Sequence, residues 1–380
     1  MDDPPGKRSA ACSHSDYHRP NFRLSSTSPD ELYGNYGQRN INAAKGSVIV
    51  PLVDNSELEP GVQDKAPHSH APLANISPED LTRFIARDNL YPAHGGSYAD
   101  IFCGTLSKNG RAMKVAIKVI RSHTYTEANQ LKIDKRLRRE IRMWCGLQHS
   151  NIVQLLGTTT DFGPYTAMVC PWMKEGNLNH YLNHRKPELN LRRRLEILKD
   201  VVEGLFYLHA RSIIHGDLTT GNILMDGRTA CLTDFGLSNV LAEFRTNSLT
   251  SSNVACAPRW AAPELYSVGT TFPEVTTHCD IYSFGSIALQ VISGRLPYGE
   301  IKSDFVVIIE LTKGRNPRRP VEPLLSDGFW NFIVLCWHQD PRRRPAIDEL
   351  REKLHVLQDT CGQEALVANI VDADKMKGNP

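Results

Sequence analysis

The chain has 380 residues and is 41% apolar, enough to bury one or two hydrophobic cores beside some unstructured polar sequence. Its 44 basic and 42 acidic residues leave a formal net charge of +2, which argues against a protein that binds nucleic acid or an acidic membrane through its overall charge. The nine cysteines are odd in number, widely spread and free of a Cys-x-x-Cys pair, a pattern that indicates a reducing compartment.

Residues 1–75 are rich in Ser, Pro, Asp, Asn, Gly and His and show no sustained periodicity. Such sequence cannot bury enough apolar surface to offset its chain entropy, so a disordered N-terminal tail is predicted there. No signal-peptide core is visible, and no run reaches the roughly 20 apolar residues that span a bilayer. We therefore expect a soluble intracellular protein that does not insert into membranes, located in the cytoplasm with the nucleus as the alternative.

Order is predicted to begin at Ser77. Ser can cap a short helix, Pro78 suits the first turn, and Asp80 lies three residues after the cap. The alternative is a loop that carries these residues by coincidence.

Residues 91–120 contain short β-rich runs separated by Gly95-Gly96 and by Lys108-Asn109-Gly110, as expected of an antiparallel meander with an Asn-Gly turn. Residues 131–147 carry apolar side chains at spacings of three and four with Arg and Lys between them, which predicts a helix. Beyond Gly176 the pattern becomes helical, so the predicted fold class is α+β, with a small β-rich lobe and a larger helical one. The helices of the larger lobe are predicted at 195–209, 280–293 and 329–337.

Several short motifs follow one another in the chain, and most are weak when taken alone. A lysine that ends a strand is usually solvated, and a lone Asp-Phe-Gly is more often a turn. The strongest segment holds Asp217 and Asn222 on one tight loop, because this pair suits the roles of a base and a metal ligand. In their order, the motifs together resemble those of eukaryotic protein kinases. They are His94-Gly95-Gly96-Ser97, Val115-Ala116-Ile117-Lys118, His215-Gly216-Asp217-Leu218, Asp234-Phe235-Gly236 and Ala262-Pro263-Glu264.

The resemblance implies the bilobal protein kinase fold for residues 76–358, with a small lobe at about 76–172 and a large lobe at about 173–358. A C-terminal tail is expected at 359–380. The implied reaction transfers the γ-phosphoryl group of ATP to hydroxyl groups of a protein substrate, with Mg²⁺ as the metal and Mn²⁺ as the alternative. No nucleic-acid partner is expected, and the sequence does not identify regulatory partners.

The resemblance also implies roles for single residues. Lys118 would hold the α- and β-phosphates and pair with a helix carboxylate, for which Glu140 is the candidate. Asp217 would receive the proton of the acceptor hydroxyl, and Asn222 and Asp234 would bind the metal. The remaining nucleotide contacts would come from four regions. They are the Gly-rich loop (Gly95, Gly96, Ser97), the strands of the small lobe (Ile101, Ala116), the hinge between the lobes (Pro171, Met173) and the large lobe (Leu224).

Some positions depart from the family's pattern. His94 and Ala99 occupy two of the three usual glycine positions of the loop over the phosphates. Gly216 replaces the Arg that binds a phosphorylated activation loop, so phosphorylation of that loop is predicted not to be required for activity. Thr219 and Ala257 stand where serine/threonine kinases usually carry Lys and Thr, so neither the Ser/Thr nor the Tyr acceptor signature is complete.

The C-terminal part of the domain carries further motifs of the family. Arg344, in a segment that ends in Arg-Pro, is predicted to pair with Glu264. This segment and the run Tyr282-Ser283-Phe284-Gly285 resemble the tyrosine kinases and the tyrosine-kinase-like kinases, and we favour the latter group with Ser and Thr acceptors. Taken whole, the chain resembles the tyrosine-kinase-like kinases of mushroom-forming fungi.

Three functions fit these observations. The first is an active protein kinase. The second is a pseudokinase or scaffold that holds nucleotide under its altered loop with weak activity. The third is a small-molecule kinase, which would share Asp217 and Asp234 but would not explain the activation segment that ends at Glu264.

Overall fold

The computed structural model describes most of the region with predicted order. The N-terminal tail, Gly96, Ser97, Gly236 and the last twenty residues lie outside the described residues. The described ranges are 77–95, 99–121, 127–185, 189–235, 257–266, 274–321 and 325–360.

The small lobe is an antiparallel sheet. Its strands are β1 (Ile85–Arg87), β2 (His94–Gly95), β3 (Ala99–Lys108), β4 (Arg111–Ile120), β5 (Gly157–Thr159) and β6 (Ala167–Pro171). Their spatial order is β1-β3-β4-β6-β5, and β2 also pairs with β3.

The β3–β4 hairpin turns at Asn109 and Gly110, which have φ angles of 52° and 74°. A two-residue turn of this kind needs positive φ at both central residues, which Asn and Gly tolerate best. The predicted Asn-Gly turn is therefore confirmed.

The two faces of β4 pack against different neighbours, since side chains alternate across a strand. Val115, Ile117 and Val119 are buried in a small cluster with Leu81 and Phe102. On the opposite face, Ile120 joins the main core. Ala116 and Lys118 belong to that second face, and the alternation therefore directs Lys118 away from the small cluster.

The segment before β1 differs from its prediction. No helix begins at Ser77; the backbone pairs with β5 instead, where Leu81 N–H donates to Thr158 O over 2.8 Å. A single short 3₁₀ turn follows at Thr82–Phe84, and Asp80 Oδ1 accepts from its first N–H over 2.9 Å. The predicted helix start is wrong because the sheet supplies backbone partners and a buried site for Leu81, which no local pattern reveals.

Helix α1 (Glu127–Cys145) confirms the helix predicted at 131–147, with both ends slightly earlier. Its apolar positions Leu137, Ile141 and Trp144 are buried. Trp144 Nε1 donates to Val153 O over 2.8 Å, which satisfies the indole N–H inside the core.

The large lobe contains the three predicted helices, each beginning a few residues before the apolar pattern. Capping explains two of these starts: Asn190 accepts from Arg193 N–H over 2.9 Å, and Ser326 accepts from Phe329 N–H over 3.4 Å. The elements are α2 (Leu178–His184), α3 (Leu191–His209), the hairpin strands β7 (Ile223–Asp226) and β8 (Thr229–Leu232), α4 (Thr277–Ser293), α5 (Asp304–Thr312), α6 (Asp327–Cys336) and α7 (347–360).

Helix α4 forms the centre of the large lobe, with every residue from Cys279 to Ser293 buried. Its buried polar side chains find partners inside the lobe; Ser286, for example, accepts from Trp337 Nε1 over 3.1 Å. The helix approaches α6 so closely that a Cβ on Gly285 would lie 2.7 Å from Cys336 Cβ. The α+β class with a curled sheet and a helical second lobe is confirmed. Among the described helices, none has the length and apolar content needed to cross a bilayer.

Candidate active site

The loop between α3 and β7 is fixed to the buried helix α4 by one carboxylate. Asp280 accepts hydrogen bonds from His215 N–H over 2.9 Å and from Gly216 N–H over 2.8 Å. His209 Nε2 lies 2.8 Å from the same side chain. These partners satisfy a carboxylate that is almost fully buried, so the loop backbone is held in a single position.

Gly216 has a φ angle of 77°, in the left-handed region. Glycine adopts this conformation without the steric cost that a Cβ imposes. The backbone therefore favours glycine at a position where the resemblance led us to expect Arg.

Asp217 and Asn222 are joined directly. Asn222 Nδ2 donates to the backbone oxygen of Asp217 over 2.8 Å and to its carboxylate Oδ2 over 3.0 Å. Desolvation within the cleft raises the pKa of Asp217 to about 7, against smaller opposing effects from Asn222 and Lys118. A carboxyl group with a pKa near neutrality suits a general base.

Lys118 on β4 forms an ion pair with Asp234, which follows β8. The contact joins the small lobe to the large lobe, and both side chains are largely shielded from solvent. Asp234 has a φ angle of 65°, a conformation that is uncommon outside glycine and is enriched at functional sites. Thr233 N–H, next to Asp234, donates to Asn222 O over 3.0 Å, and Asn222 in turn binds Asp217. Lys118, Asp234 and Asp217 are therefore held close together in one cleft.

Phe235, the neighbour of Asp234 in the chain, belongs to the main core. It is buried, with its ring 5.4 Å from that of Trp144 on α1 and 6.2 Å from that of His215. Both pairs are edge-to-face, a favourable aromatic geometry. The packing of Phe235 thus fixes the backbone that carries Asp234.

The predicted nucleotide contacts of the small lobe share a face of the sheet. Ile101 pairs in register with Lys118, and Ala116 pairs with Cys170 of β6. Side chains in register lie on the same face, as do residues two apart on one strand. Ile101, Ala116 and Lys118 are therefore brought together. Gly95, at the end of β2, pairs with Asp100 of β3.

The hinge and the large lobe supply the remaining predicted contacts. Pro171 is the last residue of β6 and pairs with Val115, and Met173 packs at the edge of the main core. Leu224 lies on β7 and is half-buried. Glu140 lies on α1 and is half-buried as well. Its pairing with Lys118 stays a prediction.

One aromatic contact was not foreseen. The rings of His94 and Trp172 are stacked, with centroids 6.1 Å apart and an interplanar angle of 14°. His94 is in register with Ile101, so its side chain belongs to the face of the sheet that carries Ile101 and Lys118. The contact joins the Gly-rich hairpin to the hinge across a long sequence separation, and no local pattern could have indicated it.

The predicted pairing of Glu264 with Arg344 is confirmed. Arg344 Nη1 lies 2.6 Å from Oε1 and Nη2 lies 2.7 Å from Oε2, a bidentate arrangement. Arg344 also donates to His338 O and His278 O, each over 2.9 Å, and its side chain is fully buried. The arginine therefore ties the end of the activation segment to two other parts of the lobe.

The donor set fits a nucleotide-bound magnesium ion. Asp234 offers a carboxylate. The amide nitrogen of Asn222 donates to Asp217, so its amide oxygen is the atom that would bind a cation. In the described part of the chain, no three His, Cys, Asp or Glu side chains converge on a metal position. Magnesium is commonly held by one or two carboxylates together with substrate phosphates, so two protein ligands are sufficient.

Comparison with known proteins agrees with this geometry. Residues 93–354 match the family model described as protein tyrosine and serine/threonine kinase. Two relatives come from Arabidopsis thaliana. Serine/threonine-protein kinase STY17 is 28% identical over 71% of this chain and 44% of its own length. Serine/threonine/tyrosine-protein kinase HT1 is 27% identical over 76% of this chain and 69% of its own length. NT-3 growth factor receptor from Gallus gallus is 29% identical over 69% of this chain and 32% of its own length.

The chain thus spans less than half the length of STY17 and about a third of the receptor. The family match, in contrast, extends from the Gly-rich hairpin to α7 and includes all the described residues of the cleft. The chain belongs to the protein tyrosine and serine/threonine kinase family.

Proposed function

We propose that this kinase is catalytically active, requires ATP and Mg²⁺, and phosphorylates Ser and Thr residues of proteins in intracellular signalling. We propose that the protein is located in the cytoplasm, with the nucleus as the alternative. On sequence resemblance, we assign it to the tyrosine-kinase-like group and propose kinship with the kinases of mushroom-forming fungi. The observation that carries the proposal of activity is the convergence of Lys118, Asp217, Asn222 and Asp234 in one cleft.

The cleft residues divide the work of phosphoryl transfer. Lys118 places a positive charge beside the phosphates, and Asp234 and Asn222 would hold Mg²⁺, which neutralises negative charge on the phosphates when bound. Asp217 accepts the proton of the acceptor hydroxyl. At the same time the hydroxyl oxygen bonds to the γ-phosphorus of ATP, and the bond between that phosphorus and ADP breaks. Asn222 orients the Asp217 carboxylate through its 3.0 Å hydrogen bond. Catalysis of this kind rests on positioning and charge neutralisation.

The test measures transfer of radiolabelled phosphate from ATP to a generic protein acceptor in the presence of Mg²⁺. We expect Asp217→Asn and Lys118→Met to lower incorporation by about a hundredfold or more, since a base or a charge-neutralising group is lost. Asp226→Asn, at an exposed aspartate of β7, is the matched control and should retain full activity.

The other outcomes are equally informative. Equal incorporation by the wild type and both cleft variants would exclude the proposed mechanism. Nucleotide binding without turnover by the wild type would instead favour the scaffold. Phosphoamino-acid analysis of the labelled product tests the Ser/Thr assignment, and phosphotyrosine as the sole product would contradict it.

A further inference from the structure

Residues 257–261 form one wall of a small cavity next to the catalytic loop, which is the segment between α3 and β7 that carries Asp217. Asp217 and Thr219 line the cavity from the loop, and Ala257 and Trp260 line it from this wall. Because this wall borders Asp217, we expect a protein hydroxyl that gives its proton to Asp217 to approach beside it. The position of the wall therefore bears on how the acceptor chain is seated.

The wall is a tight turn. Trp260 N–H and Ala261 N–H both donate to Ala257 O, over 3.1 and 3.2 Å. Arg259 lies inside this turn, but it is absent from the cavity lining, and its side chain is buried elsewhere, with 11% exposure.

The Arg259 guanidinium binds the loop between α4 and α5. Nη1 donates to Tyr298 O over 2.8 Å and to Pro297 O over 3.1 Å, and Nη2 donates to Ile301 O over 2.7 Å. Nε lies 3.0 Å from Asp304 Oδ1 at the start of α5. Three of the four contacts go to backbone carbonyls, so they depend on the loop's conformation and not on the identity of its side chains.

That loop is itself rigidly held. Tyr298 is buried and has a φ angle of 52°, which a residue with a Cβ keeps only where its surroundings compensate. Its hydroxyl donates to Arg315 O over 2.8 Å. Arg259 thus attaches the 257–261 wall to a firm part of the large lobe. A planar guanidinium can make this set of bonds, and a lysine ammonium cannot reproduce them.

We propose that Arg259 is a positioning residue for the protein acceptor, which it serves by fixing the 257–261 wall beside Asp217. The proposal rests on the kinase activity proposed above. It assigns Arg259 no contact with nucleotide or with the reacting atoms. Loss of its bonds should therefore impair use of the acceptor while leaving ATP binding intact.

The test compares Arg259→Gln and Arg259→Lys with the wild type. For each protein, the KM for the acceptor, the KM for ATP, the rate of ATP hydrolysis without acceptor and the melting temperature are measured. We expect the acceptor KM to rise about tenfold or more in Arg259→Gln and by less in Arg259→Lys, with the ATP KM and ATP hydrolysis within about twofold of the wild type. Asp304→Asn is the control, because its carboxylate is 61% exposed and provides only one of the four contacts. It should change the acceptor KM by less than about twofold.

Two outcomes would overturn the proposal. One is an unchanged acceptor KM in both Arg259 variants. The other is a parallel loss of ATP hydrolysis and acceptor phosphorylation in both Arg259→Gln and Arg259→Lys, which would indicate a general structural role. A wild type that neither hydrolyses ATP nor phosphorylates the acceptor would contradict the proposed kinase function itself. Because the wild type is measured separately, that failure can be told apart from a failure of the proposal on Arg259.

Discussion

Two aspartates of the large lobe have contrasting roles that follow from their surroundings. Asp280 accepts from two backbone N–H groups and lies beside His209, so its carboxyl group holds the catalytic loop in place. Asp217 takes a side-chain hydrogen bond from Asn222, and desolvation raises its pKa to about 7. Two identical side chains thus serve as an anchor and as a candidate base because their partners differ.

Cys170 is predicted to be unreactive in the folded protein. It is buried on β6, and burial raises the pKa of its thiol to about 12. At pH 8 the thiol stays protonated, since that pH is far below its pKa, and the thiolate is the nucleophile. Treatment with iodoacetamide at pH 8, followed by mass spectrometry of the peptide that contains Cys170, should show alkylation only after unfolding. Alkylation at the same rate in folded and unfolded protein would contradict this prediction.

The catalytic loop shows how an element can be specified by its backbone. Its conformation is set by Asp280 and by the left-handed backbone at Gly216, and neither depends on a phosphorylated partner. This loop can therefore be in place in the unmodified protein.

Removal of phosphate from the protein should leave its activity largely intact, because Gly216 provides no guanidinium for a phosphorylated activation loop. The measurement compares acceptor phosphorylation before and after treatment with a broad-specificity phosphatase that is then removed. Mass spectrometry confirms that the phosphate has been lost. Near-total inactivation, reversed by rephosphorylation, would show that another basic group takes the role of the missing arginine.

The Glu264–Arg344 pair stabilises the large lobe. Arg344→Ala should lower the free energy of unfolding by about 3 kcal/mol, at the lower end for a broken buried pair because Glu264 is 25% exposed. Denaturant unfolding of this variant is compared with that of Arg342→Ala, whose side chain is 86% exposed and should contribute little. Equal stability of the two variants would show that the buried pair contributes no more than the exposed one.

Over the whole molecule, the features foreseen from the sequence are those encoded by neighbouring residues. The Asn109-Gly110 turn and the buried positions of α1 follow from local chemistry and period. The Glu264–Arg344 pair and the members of the cleft were found only because the motifs resemble a known family. The segment at Ser77 was mistaken for a helix because its partner, β5, is distant along the chain.

The contacts of Arg259 could not be predicted for the same physical reason. They go to backbone carbonyls of a loop, and an oxygen of the main chain leaves no signature in the sequence. The stacking of His94 on Trp172 likewise joins β2 to the residue that follows β6, and these elements are distant along the chain. Apolar periodicity identifies the buried face of a helix or strand, but it does not determine how separate elements pack against each other.

The position of Trp172 gives this kinase an intrinsic optical reporter. Trp172 stands in the sequence between two predicted nucleotide contacts, Pro171 and Met173, and its indole stacks on the ring of His94. Mg²⁺-ATP that enters the cleft should alter the surroundings of this indole and shift its emission in a saturable titration. Trp172→Phe should abolish most of the change while the other four of the five tryptophans remain. A full signal in that variant would place its source at another indole, and a wild type without any signal would mean that nucleotide leaves the ring pair undisturbed.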